Sequence, residues 1–521
     1  MRTFVQRHEN QILGVLSGFD RLRFRGPLRM LSTVGGMLAV LGRLGVLLKD
    51  FTAYAQRLTQ QLRGSVEAVG QRAGRPVRYL ASYTNKEELV RGIQQREGTA
   101  TGGLVAILST LESCSSYEIF RDRQRRELKL RRRPRKCLHY YVYFQDEVFG
   151  LGHVRLQTWF PFDVRVVLNG REWLARQMDA DQLAYQRWDN CFPWIEDFRR
   201  AQALADRQPR IAWPHHLDRL LRRAAPEFFP MVEEFSQRPY WTIEQSEWAT
   251  DIAFRSPEAL AELYSTLIRR GIETFASRDV LRFLGHQVSA QGRWHPRLAK
   301  EVVSDVKDRR EGVRIKHRVG RNSLKMYDKF AQILRVETTL NEVRSLKVFR
   351  RKDRQLEGPR QWLRLRKSVA DMPRRAELSH SANGRYLETL AAVTPETPLS
   401  RLADKLCKPV QDERGRRRRA LNPFSPADAR LLAAVIRGEH ALTGFRNRDL
   451  RETLYGSPID PAERRRQAAR VTRHLSLLRA HGLLRKLPGT HRYVLTKEGQ
   501  TAITAFLAAR NATLDQLTKV A

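Results

Sequence analysis

Residues 137–170 read CLHYYVYFQDEVFGLGHVRLQTWFPFDVRVVLNG. β-branched and aromatic residues crowd three short runs, separated by QDEVFG and by a Pro-Phe break. That pattern predicts three antiparallel strands joined as a meander. Tyr140 and Tyr141 are adjacent, so they cannot share one face of a regular strand. Asn169 then stands where the N-cap of a helix belongs, ahead of GREWLARQMD.

Working outward toward the N-terminus, GVLSGFDRLRFRG (14–26) predicts a strand that carries Asp20. Helical patterns follow to about Val69. GRPVRYLA (74–81) reads as a strand, NKEELVRGIQQREG (85–98) as a helix and GLVAILSTLE (103–112) as a buried strand ending on Glu112. Residues 121–136, RDRQRRELKLRRRPRK, read as a basic loop that contacts phosphate. In the other direction, residues 180–310 predict mainly helix, interrupted at Pro209, Pro214, Pro230 and Pro257. Within them WTIEQSEWATDIAF (241–254) sets Glu247 and Asp251 four apart, on one face if helical. Alternation returns at 312–341, with strands expected at Val313–Val319, Ser323–Asp328 and Ile333–Leu340.

The expected fold class is therefore α+β: a multidomain chain with a strand-rich mixed core, helical insertions and a separate C-terminal domain. Four segments follow: an α/β segment 1–136, a central core 137–343, a basic helical linker region 344–420 and a C-terminal domain 421–521. The charge run DERGRRRRALNPFS (412–425) marks the last boundary.

Composition narrows the partners. The chain has 521 residues, with 95 Lys+Arg against 56 Asp+Glu and a net charge of +39. Such an excess repels itself unless a polyanion neutralises it, so DNA or RNA is the expected partner rather than a membrane. Arg suits bidentate phosphate and guanine contacts. Four dispersed cysteines without a CxxC spacing argue against zinc knuckles and disulfides. The opening MRTFVQRHEN lacks the apolar core of a signal peptide, and Met30–Gly42 is too short to span a bilayer, which implies a cytoplasmic protein.

At the C-terminus, Ser425 and Pro426 form a helix-start pair before ADARLLAAVIRGE. FRNRDLRETLYG (445–456) and PAERRRQAARVTRHLSLLRAHGLL (461–484) give two more helices. In the latter, Ala468, Val471, Leu475 and Leu478 form an apolar stripe opposite Arg466, Arg470 and Arg473. RKLPGTHRYVLTKEG (485–499) predicts two strands around a Gly-Thr turn, with His491 and Arg492 at the tip. The run LLRAHGLLRKLPGTHRYVLTKEG (477–499) resembles the winged-helix domains of MarR- and ArsR-type regulators. That resemblance, over roughly 90 residues, implies a recognition helix in the major groove.

SLKMYDKFAQILRVETTLN (323–341) places Tyr327, Asp328 and Lys329 on one strand and Arg335 and Glu337 on the next. It resembles the YDK…RxE strand pair of rolling-circle replication initiators, which implies strand cleavage with a metal and a tyrosine nucleophile. The histidine–hydrophobe–histidine pair of those proteins is absent. In this reading Asp328 and Glu337 are ligands for Mg²⁺ or Mn²⁺, Lys329 or Arg335 holds phosphate and Tyr327 attacks phosphorus. Asp20, Glu112, Glu247 and Asp251 are further candidate ligands. The competing reading makes these acids ion-pair partners and packs Tyr327 in a core. Expected nucleic-acid contacts are Arg131, Arg132, Arg133, Arg135, Lys136 and Arg155, with Lys316, Arg318, Arg321 and Arg335 nearer the strand pair. SGFDRLRFRG, RKCLHYYVYF, GHVRLQTWFPF, LNGREWLARQ, EWATDIAF and SLKMYDK together resemble a widespread bacterial family of about this length, which implies one multidomain unit and carries no mechanism. Three functions stay open: a strand-nicking or strand-transferring enzyme of a mobile or replicating element, a scaffold for structured RNA in a ribonucleoprotein, and a transcription regulator.

Overall fold

A computed structural model describes the chain apart from residues 98–102, 274, 276, 287–301, 310–311, 353–357, 392–398, 413–414, 437–443, 457, 459, 488–489 and 513–521. The α+β expectation holds: a large mixed sheet is flanked by helices, and a helical unit follows at the C-terminus.

The meander forms as expected. β1 (Ile12–Arg25), β2 (Arg78–Tyr79), β3 (Leu104–Asp122), β4 (Glu127–Asp146), β5 (Gly150–Gln157) and β6 (Val164–Asn169) all join one sheet. Asn169 caps the helix Gly170–Ala180, its side chain accepting from the backbone N–H groups of Arg171 and Glu172. β7 (Tyr185–Trp188) and β8 (Cys191–Ile195) make a separate hairpin. β9 (Thr242–Phe254), β10 (Val302–Arg309), β11 (Gly312–Val319), β12 (Asn322–Lys329) and β13 (Ile333–Leu340) complete the sheet. Its order is β10-β11-β12-β13-β9-β1-β6-β5-β4-β3-β2, antiparallel throughout except for the β2–β3 edge.

Several expectations are corrected. Residues 242–254 are not helical; they form β9, the central strand between β13 and β1. The run SEWATDIAF is buried almost continuously, and a strand buried on both faces carries no alternation to read. Residues 121–136 are not a loop. They are the outer end of the β3–β4 hairpin, which turns at residues 123–126. β5 pairs β4 only as far as His139, so the outer part of that hairpin is a two-stranded ribbon. The boundary drawn at 136/137 consequently falls inside β4, and strands from both sides of it, β1 to β6 and β9 to β13, share one sheet.

Residues 344–391 do not form a linker. The helix Met372–Ala391 buries Ala382, Tyr386 and Leu387 against Ile315, Leu324, Met326 and Val336 of the sheet. Its buried Asn383 donates to the carbonyls of Trp248 (3.2 Å) and Val336 (2.9 Å), and its buried Arg375 reaches the Leu340 carbonyl. Arginine content suggests a basic helical linker, but this guanidinium spans sheet carbonyls.

The C-terminal unit has its own core. Helices Pro426–Val435, Asn447–Tyr455 and Pro461–Ala480, the hairpin Leu484–Lys486 with Tyr493–Leu495, and the helix Lys497–Asn511 occur in the expected order. Ser425 caps the first helix and Pro426 follows it. Val471, Leu475 and Leu478 are buried, Ala468 is half-buried, and Arg466, Arg470 and Arg473 are exposed. The Gly-Thr turn includes Gly489, which lies outside the described residues. The core also takes in Leu406, Leu421 and, at its edge, Leu402, so the unit begins near the helix Leu399–Leu406 rather than at residue 421. Among the described residues no helix is long and apolar enough to cross a membrane.

Candidate metal centre

Three strands adjacent in the sheet, β1, β9 and β13, each aim a carboxylate at one point. One oxygen from each of Asp20, Glu247 and Glu337 lies within 4.8 Å of the others. Among the described residues this is the group of His, Cys, Asp and Glu side chains that could hold a metal ion.

Register explains the convergence. Phe19 pairs with Trp248 and Leu22 with Ser246, so Asp20 and Arg21 together oppose Glu247. This is a β-bulge, which re-aims a side chain at the point where it interrupts the ladder. The helix Gly170–Ala180 starts against the bulge; a Cβ on Gly170 would lie 2.3 Å from the Phe19 carbonyl oxygen, so glycine is required for that approach. Glu337 lies opposite Ala249 and Lys325, and Glu247 opposite Thr339.

Each acid is held differently. Asn190, from the β7–β8 turn, donates through Nδ2 to both oxygens of Asp20 (2.7 and 2.6 Å), and Arg335 donates to Oδ2 at 3.0 Å. Glu337 accepts from Lys325 Nζ at 2.6 Å and from the Tyr327 hydroxyl at 3.0 Å. Burial raises the Glu337 pKa, but Lys325 and Arg335 more than reverse it, leaving the group lowered and ionised. Among the described residues Glu247 accepts only from a neutral Gln245 amide, at 2.8 Å. Burial and then the Glu337 charge push it up from 4.5 to about 7. The centre therefore holds two carboxylates with cationic partners and a third that repels them, a balance that a cation or a proton would satisfy.

Cations flank the acids on the same face. Asp305, Lys316, Lys325 and Glu337 lie directly opposite one another across four strands. Arg318 follows two residues along β11 and is exposed. Arg21 and Arg23 stand beyond the acids on β1, where Arg23 opposes Gln245. The acids open into a cleft of about 760 Å³ lined also by Arg91, Arg187, Lys325 and Lys329.

Of the six acids named from the sequence, three meet and three do not. Asp251 shares a face with Glu247, as i and i+4 do on a strand as well as on a helix. It is consumed by Arg335, which donates to both its oxygens (2.6 and 2.8 Å), and by Arg171 at 3.0 Å. Glu112 lies on β3 in a separate cluster with Arg155 (2.7 Å) and Tyr141 (2.7 Å). Asp328 points to the opposite face from Tyr327 and Lys329, toward Tyr264, so alternation removes it from the centre. Glu337 pairs with Lys325, and Lys329 with Asp189 (3.2 Å) and Asn190.

Arg335 is fully buried among Asp20, Asp251 and the Asn190 carbonyl, so it organises acids instead of binding phosphate. Arg155 is likewise engaged by Glu112, and Arg492 donates to the Gly444 carbonyl. On the ribbon, Arg131, Arg133 and Arg135 gather around Glu118 at 2.7, 3.1 and 3.6 Å, while Arg132 reaches the Ser32 carbonyl; all four and Lys136 are exposed, as are Arg321 and His491. The sequence reading missed Asn190, Lys325 and Arg171. The Asp189–Asn190 turn was the available signal for the first, since Asp and Asn tolerate the positive φ (53°) seen at Asp189. Lys325 and Arg171 matter only through register. No protein-family model, curated protein or solved structure matches the chain.

Proposed function

We propose that this chain is a metal-dependent enzyme that cleaves or transfers strands of nucleic acid, with DNA as the favoured substrate, and that Asp20, Glu247 and Glu337 bind Mg²⁺ or Mn²⁺. The observation that carries the reading is the meeting of three carboxylates on adjacent strands, flanked on one face by Lys316, Arg318 and Lys325 and by Arg21 and Arg23. Carboxylate oxygens suit these hard cations, which supply charge stabilisation at phosphoryl oxygens. The flanking cations hold the phosphates on either side of the scissile bond. Tyr327 donates its hydroxyl to Glu337, and burial followed by the Glu337 charge holds its pKa well above 10. It therefore acts here as a protonated donor that orients Glu337, and water is the attacking group.

The C-terminal unit serves as a targeting module. What supports this is the order of its elements together with a third helix that buries Val471, Leu475 and Leu478 and exposes Arg466, Arg470 and Arg473.

The test incubates the full chain with supercoiled and single-stranded DNA in Mg²⁺ or Mn²⁺. Cleavage is expected, reduced at least about a hundredfold in Glu247→Gln and Glu337→Gln and retained in Tyr327→Phe. No cleavage in either metal, or undiminished cleavage by both Gln variants, overturns the proposal. Cleavage lost in Tyr327→Phe with a covalent protein–DNA adduct in the wild type overturns the water mechanism and restores a tyrosine nucleophile.

A further inference from the structure

A second cleft lies away from the acids. Its walls are the hairpin formed by Lys347–Arg350 and Gln361–Arg364 and one stripe of the helix Met372–Ala391. Arg374, Glu377, Ser381 and Arg385 recur there at helical spacing. The cleft measures about 940 Å³.

Its lining is strongly cationic. Lys347, Lys352, Arg360, Arg374 and Arg385 contribute side chains, and among the described residues that line it Glu377 is the sole carboxylate. Arg374 pairs with Asp371 and Arg385 donates to the Phe283 carbonyl. Lys347, Lys352 and Arg360 have no acidic partner among the described residues.

Two aromatic rings share this lining. Phe349 and Trp362 are directly opposite each other in the hairpin register, with ring centroids 5.5 Å apart, and are 55% and 56% exposed. A cross-strand aromatic pair ordinarily contributes by covering apolar surface. This pair faces outward, so its burial does not explain it. A flat aromatic platform beside a row of cations has the chemistry of a single-strand binding surface: unpaired bases stack on the rings while the backbone phosphates follow the cations. Duplex DNA offers the same phosphates but no free base faces, so the rings choose between the two.

We infer that this cleft is a binding site for single-stranded nucleic acid, with Phe349 and Trp362 as the stacking platform and Lys347, Lys352 and Arg360 as phosphate contacts. The site is separate from the acidic centre and does not depend on the cleavage reading; it would serve a cleaving enzyme by holding the unpaired strand.

The experiment measures fluorescence anisotropy of a labelled oligo(dT) and of a labelled hairpin duplex with the full chain in EDTA, so that metal chemistry is silent. Phe349→Ala and Trp362→Ala are each expected to weaken oligo(dT) binding about tenfold, within the range known for base–aromatic stacking, and to leave duplex binding unchanged. Trp362→Phe is expected to restore most of the affinity. The charge reversals Lys347→Glu and Lys352→Glu are expected to weaken oligo(dT) binding and to flatten its salt dependence. Because both rings are exposed, melting temperatures should match the wild type, which guards against misfolding. Unchanged oligo(dT) affinity in Phe349→Ala and Trp362→Ala overturns the inference. Equal losses for oligo(dT) and duplex overturn it too, since they would leave a non-selective polyanion surface. The measurement reads binding alone, in EDTA, so failure of the cleavage proposal leaves this result readable.

Discussion

Glu247 is the residue on which the chemistry of the centre turns. Its carboxyl titrates near pH 7 because burial and the Glu337 charge both oppose ionisation. Raised from 4.5, it binds its proton more tightly in the folded state than in the unfolded chain. Stability without metal is therefore greatest below about pH 4.5 as far as this group is concerned, and its contribution is lost as pH rises through 7. The shift corresponds to at most about 3 kcal/mol. Glu247→Gln should accordingly raise the metal-free melting temperature at pH 8 and leave it unchanged near pH 5. Mn²⁺ binding, followed by calorimetry, should weaken up to about tenfold between pH 8 and pH 6 as the ligand protonates, and should be largely lost in the Gln variant. An affinity flat across that interval would contradict a ligand role for Glu247. Arg335 presents the opposite case. It satisfies Asp20 and Asp251 together, so Arg335→Met leaves two buried carboxylates with Asn190 and Arg171 as their remaining partners. The expected cost is about 3–5 kcal/mol, measurable by urea unfolding; a loss below about 1 kcal/mol would show that the cluster relaxes without it.

At the scale of elements, the β-bulge in β1 and the overhanging ribbon of β3 and β4 do the positioning. The bulge lets Asp20 and Arg21 both face the centre; without it, in the register set by Arg23 opposite Gln245, Asp20 would oppose Trp248 on the other face and the centre would lose a ligand, because a one-residue slip moves a side chain to the opposite face. The ribbon carries ten Lys and Arg against two acids between residues 121 and 136. A two-stranded ribbon is of a size that the major groove admits. The triple variant Arg131→Gln, Arg133→Gln, Arg135→Gln is expected to reduce the salt slope of duplex binding by up to about three, one for each phosphate no longer neutralised. Its stability should change by less than about 1 kcal/mol, because all three side chains are exposed. A slope identical to the wild type would remove the ribbon from the interface.

For the whole molecule, the sheet from residue 12 to 340 and the helix Met372–Ala391 form one folding unit, and residues from about 399 form another with a separate core. A fragment 399–521 is expected to melt cooperatively by circular dichroism. A fragment 421–521 lacks Leu406 and should be less stable by about 2–5 kcal/mol, as for other large buried aliphatic deletions. Equal stability of the two fragments would return the boundary to residue 421.

Local signals determined a good part of this. The meander, the three strands between 312 and 340, the Asn169 and Ser425 caps and the helical order of the C-terminal unit all follow from side-chain period and capping chemistry, which act over a few residues. The same local logic failed for β9, where burial on both faces erases the period. It failed again for the ribbon, where charge concealed a strand. The sequence also supplied the acids, but six of them, with nothing local to rank them. Only the tertiary structure decided that Asp20, Glu247 and Glu337 meet, that Arg335 ties up Asp251, and that Asp328 faces away. Strand order and register place residues as far apart in sequence as Asp20 and Glu337 side by side, and no short-range pattern encodes which strand becomes the neighbour of which.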